Sequence, residues 1–289
     1  MYLTIYGNQI MSDNPLSQYF RTPAIHLTLP SKGDGYAEGT LEMPETKELP
    51  VMPMTAVDEI TYKTPDALFN GSAVVDVIQS CIPAIKDAWQ MPVTDLTAVL
   101  TAIRIASFGH NMDIETKCPK CASITDYTLD LREVLETLEA PDYTKPLNLG
   151  DLAITFKPMV YKDLNENNKL QFEEQRLNHL LNETEMEADD QIRLLSETFK
   201  KVSDYTLSTL TKNISSITTP ECTVTDEQHI LDFLKNCENT LYKKIKSAVI
   251  DQKKKETLKP LQITCTEEKC KHKYDQHFTL DMTSFFDQS

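Results

Sequence analysis

Residues 112–129 of the chain read MDIETKCPKCASITDYTL, and residues 261–282 read LQITCTEEKCKHKYDQHFTLDM. In both stretches, apolar and polar side chains alternate on either side of two cysteines, and alternation of this kind predicts strands. Each stretch therefore predicts a β-hairpin that carries a cysteine turn, here called a knuckle, at its tip. This internal repetition decides the fold that we predict.

The two cysteine pairs have spacings that suit metal ligands. Cys118 and Cys121 form a Cys-x-x-Cys pair, and Cys265 and Cys270 form a Cys-x4-Cys pair. Structural zinc sites made of four thiolates usually take two ligands from each of two tight turns. We therefore predict one structural Zn²⁺ site built from these four cysteines, with His272 close enough in sequence to replace Cys270. The long intervening segment is tolerated, because loop-closure entropy grows only slowly with length.

Two other interpretations of the cysteines were weighed. A redox Cys-x-x-Cys normally opens a helix, whose N-terminus lowers the thiol pKa, but the residues after Cys121 have a strand pattern. A knuckle held by its hairpins alone, with reduced thiols and no metal, remains open. We favour structural zinc. Four protein ligands leave no position for a catalytic water, so this site predicts a protein that is not an enzyme.

Composition limits the function classes further. The chain has 289 residues, with 29 basic against 44 acidic side chains and a net charge of −15. Such a chain repels phosphate backbones, so we expect no nucleic-acid partner. No apolar run approaches the roughly 20 residues of a membrane helix, so we expect no membrane partner either. The odd number of cysteines, seven, argues against a secreted disulfide framework and predicts a reducing compartment.

The fold class that we predict is α+β, with a mostly helical body, short β-hairpins and a split zinc-ribbon-like clasp formed by the two knuckles. Thr55, followed by Asp58 and Glu59, predicts the N-cap of a helix, and alternation at residues 152–156 and 277–282 predicts strands. Apolar residues at helical spacing predict a helix from Thr94 to Phe108 that stops at Gly109. Similar patterns run through residues 160–255, and one of them continues from Ile230 through Cys237 to Val249. The predicted regions are an extended, proline-punctuated N-terminal arm (1–35), small strands with a helical core (36–110), the split zinc-ribbon-like module (111–130 plus 260–286) and a helical insertion (131–259).

Motifs for nucleotide binding or catalysis are missing from the sequence. Gly33 and Gly35 form only a fragment of a phosphate-binding loop, and neither a Gly-x-Ser-x-Gly nor a His-Glu-x-x-His motif occurs. We expect the remaining cysteines, Cys81, Cys222 and Cys237, to be ordinary buried thiols.

Several segments, taken in order, resemble the baseplate hub assembly proteins of contractile-tailed, T-even-type bacteriophages. The resemblance is densest over residues 14–130 and 261–286. The segments that carry it are Asn14-Pro15-Leu16, Leu29-Pro30-Ser31-Lys32-Gly33, Pro53-Met54-Thr55-Ala56-Val57-Asp58-Glu59, Thr64-Pro65-Asp66-Ala67-Leu68-Phe69-Asn70-Gly71, Ser80-Cys81-Ile82-Pro83, Ile103-Arg104-Ile105-Ala106-Ser107-Phe108-Gly109, Cys118-Pro119-Lys120-Cys121 and Phe285-Phe286.

The resemblance implies a structural component in the hub or inner region of the tail baseplate, in contact with other hub and wedge proteins of a multi-subunit assembly. It also implies the virion tail as the final location and the host cytoplasm during assembly. A chaperone that builds the hub without staying in the virion is the alternative. We expect residues 12–35 to dock on a neighbouring subunit and to be dispensable for folding.

Two rival functions belong to other classes. A zinc-ribbon adaptor bound to nucleic acid would need a basic face around the knuckles, and five lysines cluster there: Lys117, Lys120, Lys269, Lys271 and Lys273. A zinc-dependent hydrolase would need His272 in a catalytic role.

Overall fold

A computed structural model describes residues 15–65, 70–183, 188–256, 259–276 and 285–286. In this part of the chain helices and short antiparallel strands are mixed, as the α+β prediction requires. The helices are α1 (Ala56–Tyr62), α2 (Ser72–Cys81), α3 (Val93–Phe108), α4 (Leu131–Thr137), α5 (Tyr161–Glu183), α6 (Ala188–Lys212), α7 (Glu227–Asn236) and α8 (Asn239–Glu256). The strands are β1 (Ile25–Leu27), β2 (Leu49–Val51), β3 (Asn111–Lys117), β4 (Ile124–Asp130), β5 (Leu147–Leu149), β6 (Leu152–Phe156), β7 (Ile214–Thr218), β8 (Thr223–Val224), β9 (Leu261–Thr264) and β10 (Lys273–Gln276).

The main core forms around α2 and α3. Helix α3 is buried on most of its surface, and Leu100 and Ile103 are fully buried. The helix ends at Gly109, whose φ of 89° is the left-handed region that favours glycine. The predicted helix over 94–108 is therefore confirmed, with a start one residue earlier.

The N-terminal segment contributes directly to this core. Strand β1 pairs antiparallel with β2, and Leu27 and Leu29 are buried. Ser31 fixes the segment further, because its amide donates to the Asp95 carboxylate at 2.9 Å and its hydroxyl does so at 2.5 Å. Residues 12–35 were expected to be dispensable for folding, but this segment supplies two buried side chains, Leu27 and Leu29, to the core. Residues 12–14 lie outside the described residues.

Arg21 anchors the residues before β1. Its guanidinium donates to the carbonyl of Pro53 at 2.8 Å, to the carboxylate of Asp58 at 3.0 Å, and to both oxygens of Ser80. Asp58 in turn accepts from the amide of Thr55, which forms a capping box at the start of α1. One arginine thus ties the N-terminal segment to α1 and α2, and the predicted N-cap at Thr55 is confirmed.

The Asp58 carboxyl makes the stability of this corner depend on pH. Burial raises the pKa of Asp58, but hydrogen bonds from Thr55 and Ser80 and the charge of Arg21 together lower it below its usual value. A carboxyl with a lowered folded-state pKa stabilises the fold above its unfolded pKa of about 4, and that contribution is lost as the pH falls through the folded pKa.

We expect the substitution Asp58→Asn to lower the free energy of unfolding by about 1–2 kcal/mol at pH 7. The deficit should be smaller at pH 3 than at pH 7, because the charge of the wild-type carboxyl contributes less stability as the pH falls below the unfolded pKa of about 4. Urea unfolding of the variant and the wild type at both pH values measures this difference in the free energy of unfolding. The matched control is Glu59→Gln, which breaks only the exposed pair with Lys63 and should change stability by less than about 0.5 kcal/mol. An equal deficit for Asp58→Asn at both pH values contradicts the prediction.

A second core lies in the predicted insertion. Strands β5, β6, β7 and β8 form one antiparallel sheet in that order, and α7 and α8 contribute Ile230, Leu234 and Ile245 to its buried face. The range 131–259, predicted as a helical insertion, thus contains a four-stranded sheet as well as helices. Ile214 and Ile217 are buried in β7, where β-branched side chains pack well on a pleated surface.

The C-terminal end of the described chain returns to the main core. Phe285 and Phe286 are almost fully buried, and the ring of Phe286 meets the ring of Tyr62 edge to face with centroids 4.7 Å apart. The buried guanidinium of Arg104 donates to the Phe285 carbonyl at 2.6 Å and lies 5.6 Å from the centre of the Phe285 ring. We call Phe285 and Phe286 the C-terminal anchor.

Candidate metal centre

The cysteines sit at the tips of two hairpins, as predicted. Strands β3 and β4 pair from Asn111↔Asp130 to Lys117↔Ile124, and the turn between them holds Cys118 and Cys121. Strands β9 and β10 pair from Leu261↔Gln276 to Thr264↔Lys273, and their turn holds Cys265 and Cys270. The last strand had been predicted at residues 277–282, which lie outside the described residues, and β10 starts earlier than that.

The structure brings all four sulfurs to one place. Every Sγ lies within 4.8 Å of the other three. Two of the separations are 3.9 Å between Cys118 and Cys270 and 3.6 Å between Cys121 and Cys265. Each of these pairs joins one knuckle to the other across more than 140 positions of sequence.

These separations suit a tetrahedral metal site and exclude disulfides. A zinc–sulfur bond of about 2.3 Å gives a tetrahedron whose sulfurs are about 3.8 Å apart, and the two measured values lie on either side of it. A disulfide would need about 2.05 Å, and all the cysteines of the chain are free thiols. The four side chains thus offer a donor set of the kind that binds zinc.

The two knuckles have the same backbone design. The amide of Cys118 donates to the carbonyl of Ser123 at 2.9 Å, and the amide of Cys265 donates to the carbonyl of His272 at 2.9 Å. Directly after the second cysteine of each knuckle, the chain turns through a residue with positive φ, 58° at Ala122 and 43° at Lys271.

Both residues occupy a conformation that costs roughly 1 kcal/mol for a residue other than glycine. Such strain persists where the surroundings require it, and functional sites are one such place. The sequence does not indicate this conformation, because glycine, the residue that adopts positive φ most readily, is absent from both positions. Turn 265–272 is two residues longer than turn 118–123 and closes in the same way, so the Cys-x4-Cys spacing does not prevent convergence.

The thiols differ in acidity. Burial raises the pKa of Cys118, but the backbone amides of Cys121 and Lys120 and the neighbouring thiols lower it to about 7. The backbone amide of Glu267 lowers the pKa of Cys265, but burial and the neighbouring thiols raise it to about 12. Closely spaced thiols resist ionising together, and a bound dication would remove that resistance by neutralising the thiolates.

Direct contacts hold the two hairpins against each other. The hydroxyl of Tyr274 donates to Oγ1 of the buried Thr116 at 3.0 Å, and the hydroxyls of Thr125 and Thr266 are 3.0 Å apart. Leu261 packs against the small cluster formed by Leu129, Leu131 and Val134. The two hairpins packed together form the clasp. Their polar and apolar contacts hold it together in addition to the sulfur cluster.

His272 is not part of the sulfur cluster. Within the described residues, the converging donor atoms belong to the four cysteines alone, and the His272 ring is stacked on Tyr274 instead, with centroids 6.4 Å apart. The prediction that His272 can replace Cys270 stays a prediction, and in this structure Cys270 itself supplies the fourth sulfur of the cluster. His277, the other histidine near this knuckle, lies outside the described residues.

The remaining cysteines lie elsewhere. Cys81 is fully buried in the main core, where burial raises its pKa to about 12. Cys237 is half-buried at the end of α7, and Cys222 is exposed in the turn before β8. The expectation of a buried thiol is thus wrong for Cys222, which lies exposed in the connection between β7 and β8.

Comparison with known families decides the identity. The chain matches the model of the T4 bacteriophage base plate protein family over residues 23–287. It belongs to this family. A search of the curated proteins found no match, and neither did a search of the solved structures.

As a T4-type baseplate protein, the chain has a structural role related to the baseplate, in a multi-subunit assembly at the virion tail. The family match includes both knuckles and the C-terminal anchor. In the part of this baseplate protein that the structure describes, no helix has the length and apolar character needed to span a membrane.

Proposed function

We propose that this baseplate protein is a structural, non-enzymatic subunit of the hub region of a contractile phage tail, and that it acts through contacts with neighbouring hub and wedge proteins. The observation that carries this proposal is the family match over residues 23–287. Assembly of the hub would take place in the host cytoplasm, in keeping with reduced cysteines.

The clasp supports a structural role over a catalytic one. We propose that Cys118, Cys121, Cys265 and Cys270 hold one Zn²⁺ as thiolates. Four protein ligands saturate tetrahedral zinc, so the metal would cross-link the hairpins without an open position for water or substrate. The stacked ring of His272 lies outside the cluster, so a catalytic part for it has no support in the geometry.

The lysines around the clasp have a local explanation. Lys117, Lys120, Lys269, Lys271 and Lys273 are all exposed at the knuckles. Zinc with four thiolates carries a net negative charge, and nearby ammonium groups reduce its electrostatic cost. The nucleic-acid adaptor is therefore the less favoured function, since the chain as a whole carries a charge of −15.

One experiment separates the hub subunit from an assembly chaperone and from a nucleic-acid adaptor. We expect mass spectrometry of purified mature tails to detect the chain in a fixed ratio to other baseplate proteins. If the protein is absent from mature tails but normal assembly still requires its gene, the protein is an assembly chaperone. In parallel, the isolated protein should show no binding to duplex DNA at 50 mM salt, and binding that weakens steeply with salt would instead favour the adaptor.

A further inference from the structure

A cavity of about 570 Å³ runs beside β1 and the residues that follow it. One wall consists of five consecutive residues, 26–30. The other wall includes Leu135, Glu136, Leu138 and Glu139, which lie at the end of α4 and directly after it. We call this cavity the β1 groove. Its volume is in the range of cavities that bind ligands.

The first wall of the β1 groove is the edge of an extended backbone. Successive side chains of an extended segment point to opposite faces, and here Leu27 and Leu29 are buried whereas His26 and Thr28 are exposed. All of them nevertheless line the same cavity. The segment therefore meets the groove with its backbone edge, since neither row of side chains alone could form this wall.

That edge carries hydrogen-bonding groups with no partner. Among the described strands, β1 pairs with β2 alone, and His26 lies opposite Pro50, which has no amide hydrogen. The two therefore cannot form a hydrogen-bonded pair, so the N–H and C=O of His26 point away from β2. The N–H and C=O of Thr28 also lack a partner within the described residues. A free edge of this kind is a template for another strand.

The opposite wall indicates which side chains an added strand would carry. Leu135 and Leu138 are half-buried and offer apolar contact, together with Ala98 of α3. Glu136 and Glu139 are exposed, and neither forms an ion pair within the part of the chain that the structure describes. These carboxylates favour a basic side chain in the occupant and disfavour a nucleic acid, whose phosphates they would repel.

One cation also lines the groove. Lys32 follows the extended segment and lines the adjoining cavity as well, where Asp34 and Asp142 are present. Its charge thus lies where the groove meets a region that has carboxylates of its own, and Glu136 and Glu139 remain without a cation on their wall.

We infer that the β1 groove binds an extended segment of a different baseplate polypeptide, which pairs with β1 as an additional strand and carries apolar and basic side chains. Backbone hydrogen bonds to His26 and Thr28 supply affinity, and the side chains of the opposite wall select the sequence. The inference rests on the proposed function and adds to it the surface through which the subunit is incorporated. It also narrows the docking predicted for residues 12–35 to one edge of that segment.

Two variants, each with a matched control, test the two walls. Thr28→Pro removes a free N–H from the edge, and Leu27 before it is already extended, as a following proline requires. Its control is Thr28→Val, which keeps the N–H. Glu136→Lys reverses a charge on the opposite wall, and its control is Glu133→Lys, which changes an exposed residue of the same helix outside the groove.

Each gene is supplied during infection by a phage that lacks its own copy, and the protein is quantified in purified tails. Thr28→Pro and Glu136→Lys should each be incorporated at least tenfold less than the wild type, while both controls are incorporated normally. Circular dichroism and thermal unfolding of the isolated proteins establish folding. If Thr28→Pro does not fold, Glu136→Lys decides. Normal incorporation of a folded groove variant overturns the inference.

Photo-cross-linking identifies the occupant. Benzoylphenylalanine introduced at position 26 should, in assembled tails, cross-link to one continuous segment of another polypeptide that contains lysine or arginine. Cross-links to a second copy of this chain, to residues 1–14 of the same chain or to nucleic acid each contradict the proposed occupant. Sedimentation of the isolated protein should accordingly show a monomer.

The same variants distinguish failure of the inference from failure of the proposed function. If the wild type is itself missing from mature tails, the proposed function fails, and the yield of complete baseplates then tests the groove. Glu136→Lys should still reduce that yield at least tenfold relative to Glu133→Lys, and equal yields would rule the groove out as a docking surface.

Discussion

Removing the Zn²⁺ that we propose for the clasp should lower the melting temperature of the protein by about 10 °C or more. The expectation follows from the convergence of four sulfurs within 4.8 Å on hairpins whose strands are short. Structural zinc contributes its binding free energy, on the order of 10 kcal/mol in small zinc modules, to folding. Without the metal, the hairpin of β9 and β10 is held against that of β3 and β4 by a few hydroxyl contacts and a small apolar cluster.

The measurement combines elemental analysis with thermal unfolding. The purified protein should contain one zinc per chain, a strong chelator should remove it, and the substitution Cys265→Ser should abolish retention. The matched control is Cys222→Ser, because Cys222 is an exposed thiol outside the cluster and should leave zinc content and stability unchanged. A protein that purifies without metal and melts at the same temperature with and without added zinc would establish the metal-free knuckle instead.

The second large effect is expected at the C-terminal anchor. Phe285→Ala should lower the free energy of unfolding by about 3–5 kcal/mol, because it leaves a cavity where a large ring is 1% exposed. The cost is raised by Arg104, whose guanidinium packs against that ring with its carbon 5.6 Å from the ring centre. Losing the ring weakens the packing around a charge that the fold has already buried.

Denaturant unfolding measures this loss, and the control is Phe20→Ala, where the ring is 58% exposed. The control should change stability by less than about 0.5 kcal/mol. A loss at Phe285 no larger than that of the control would show that the anchor does not contribute to the core. Zinc content should remain at one per chain in both variants, which separates the anchor from the clasp.

The sequence predicts the parts of the fold that local chemistry determines. The cap at Thr55 and the stop at Gly109 depend on single residues with known preferences, and both are confirmed. Strand β7 was missed because it follows α6 after a single residue, with no glycine or proline to mark the change. A continuous helix was predicted through Cys237, but α7 ends there and α8 begins at Asn239, since apolar spacing alone does not reveal a bend.

The candidate site was predictable in composition but not in detail. Spacing and repetition point to the four cysteines, and the structure brings them together. The positive φ at Ala122 and Lys271 could not be predicted, because neither residue favours that conformation. The hydrogen bond from Arg104 to the Phe285 carbonyl could not be predicted either, because it joins residues 181 positions apart. Long-range contacts of this kind leave no periodic signal in a sequence.

The position of the second knuckle has a consequence for how the protein is made. Synthesis on the ribosome is vectorial, and Cys265, Cys270 and the C-terminal anchor emerge after the residues of the α2–α3 core. The nascent chain can form much of that core early, but neither the sulfur cluster nor the packing of Phe286 on Tyr62 can form until residues 265–286 have emerged. A chain terminated before residue 265 would lack both the cluster and the anchor, and this difference would distinguish it from a subunit that contains them.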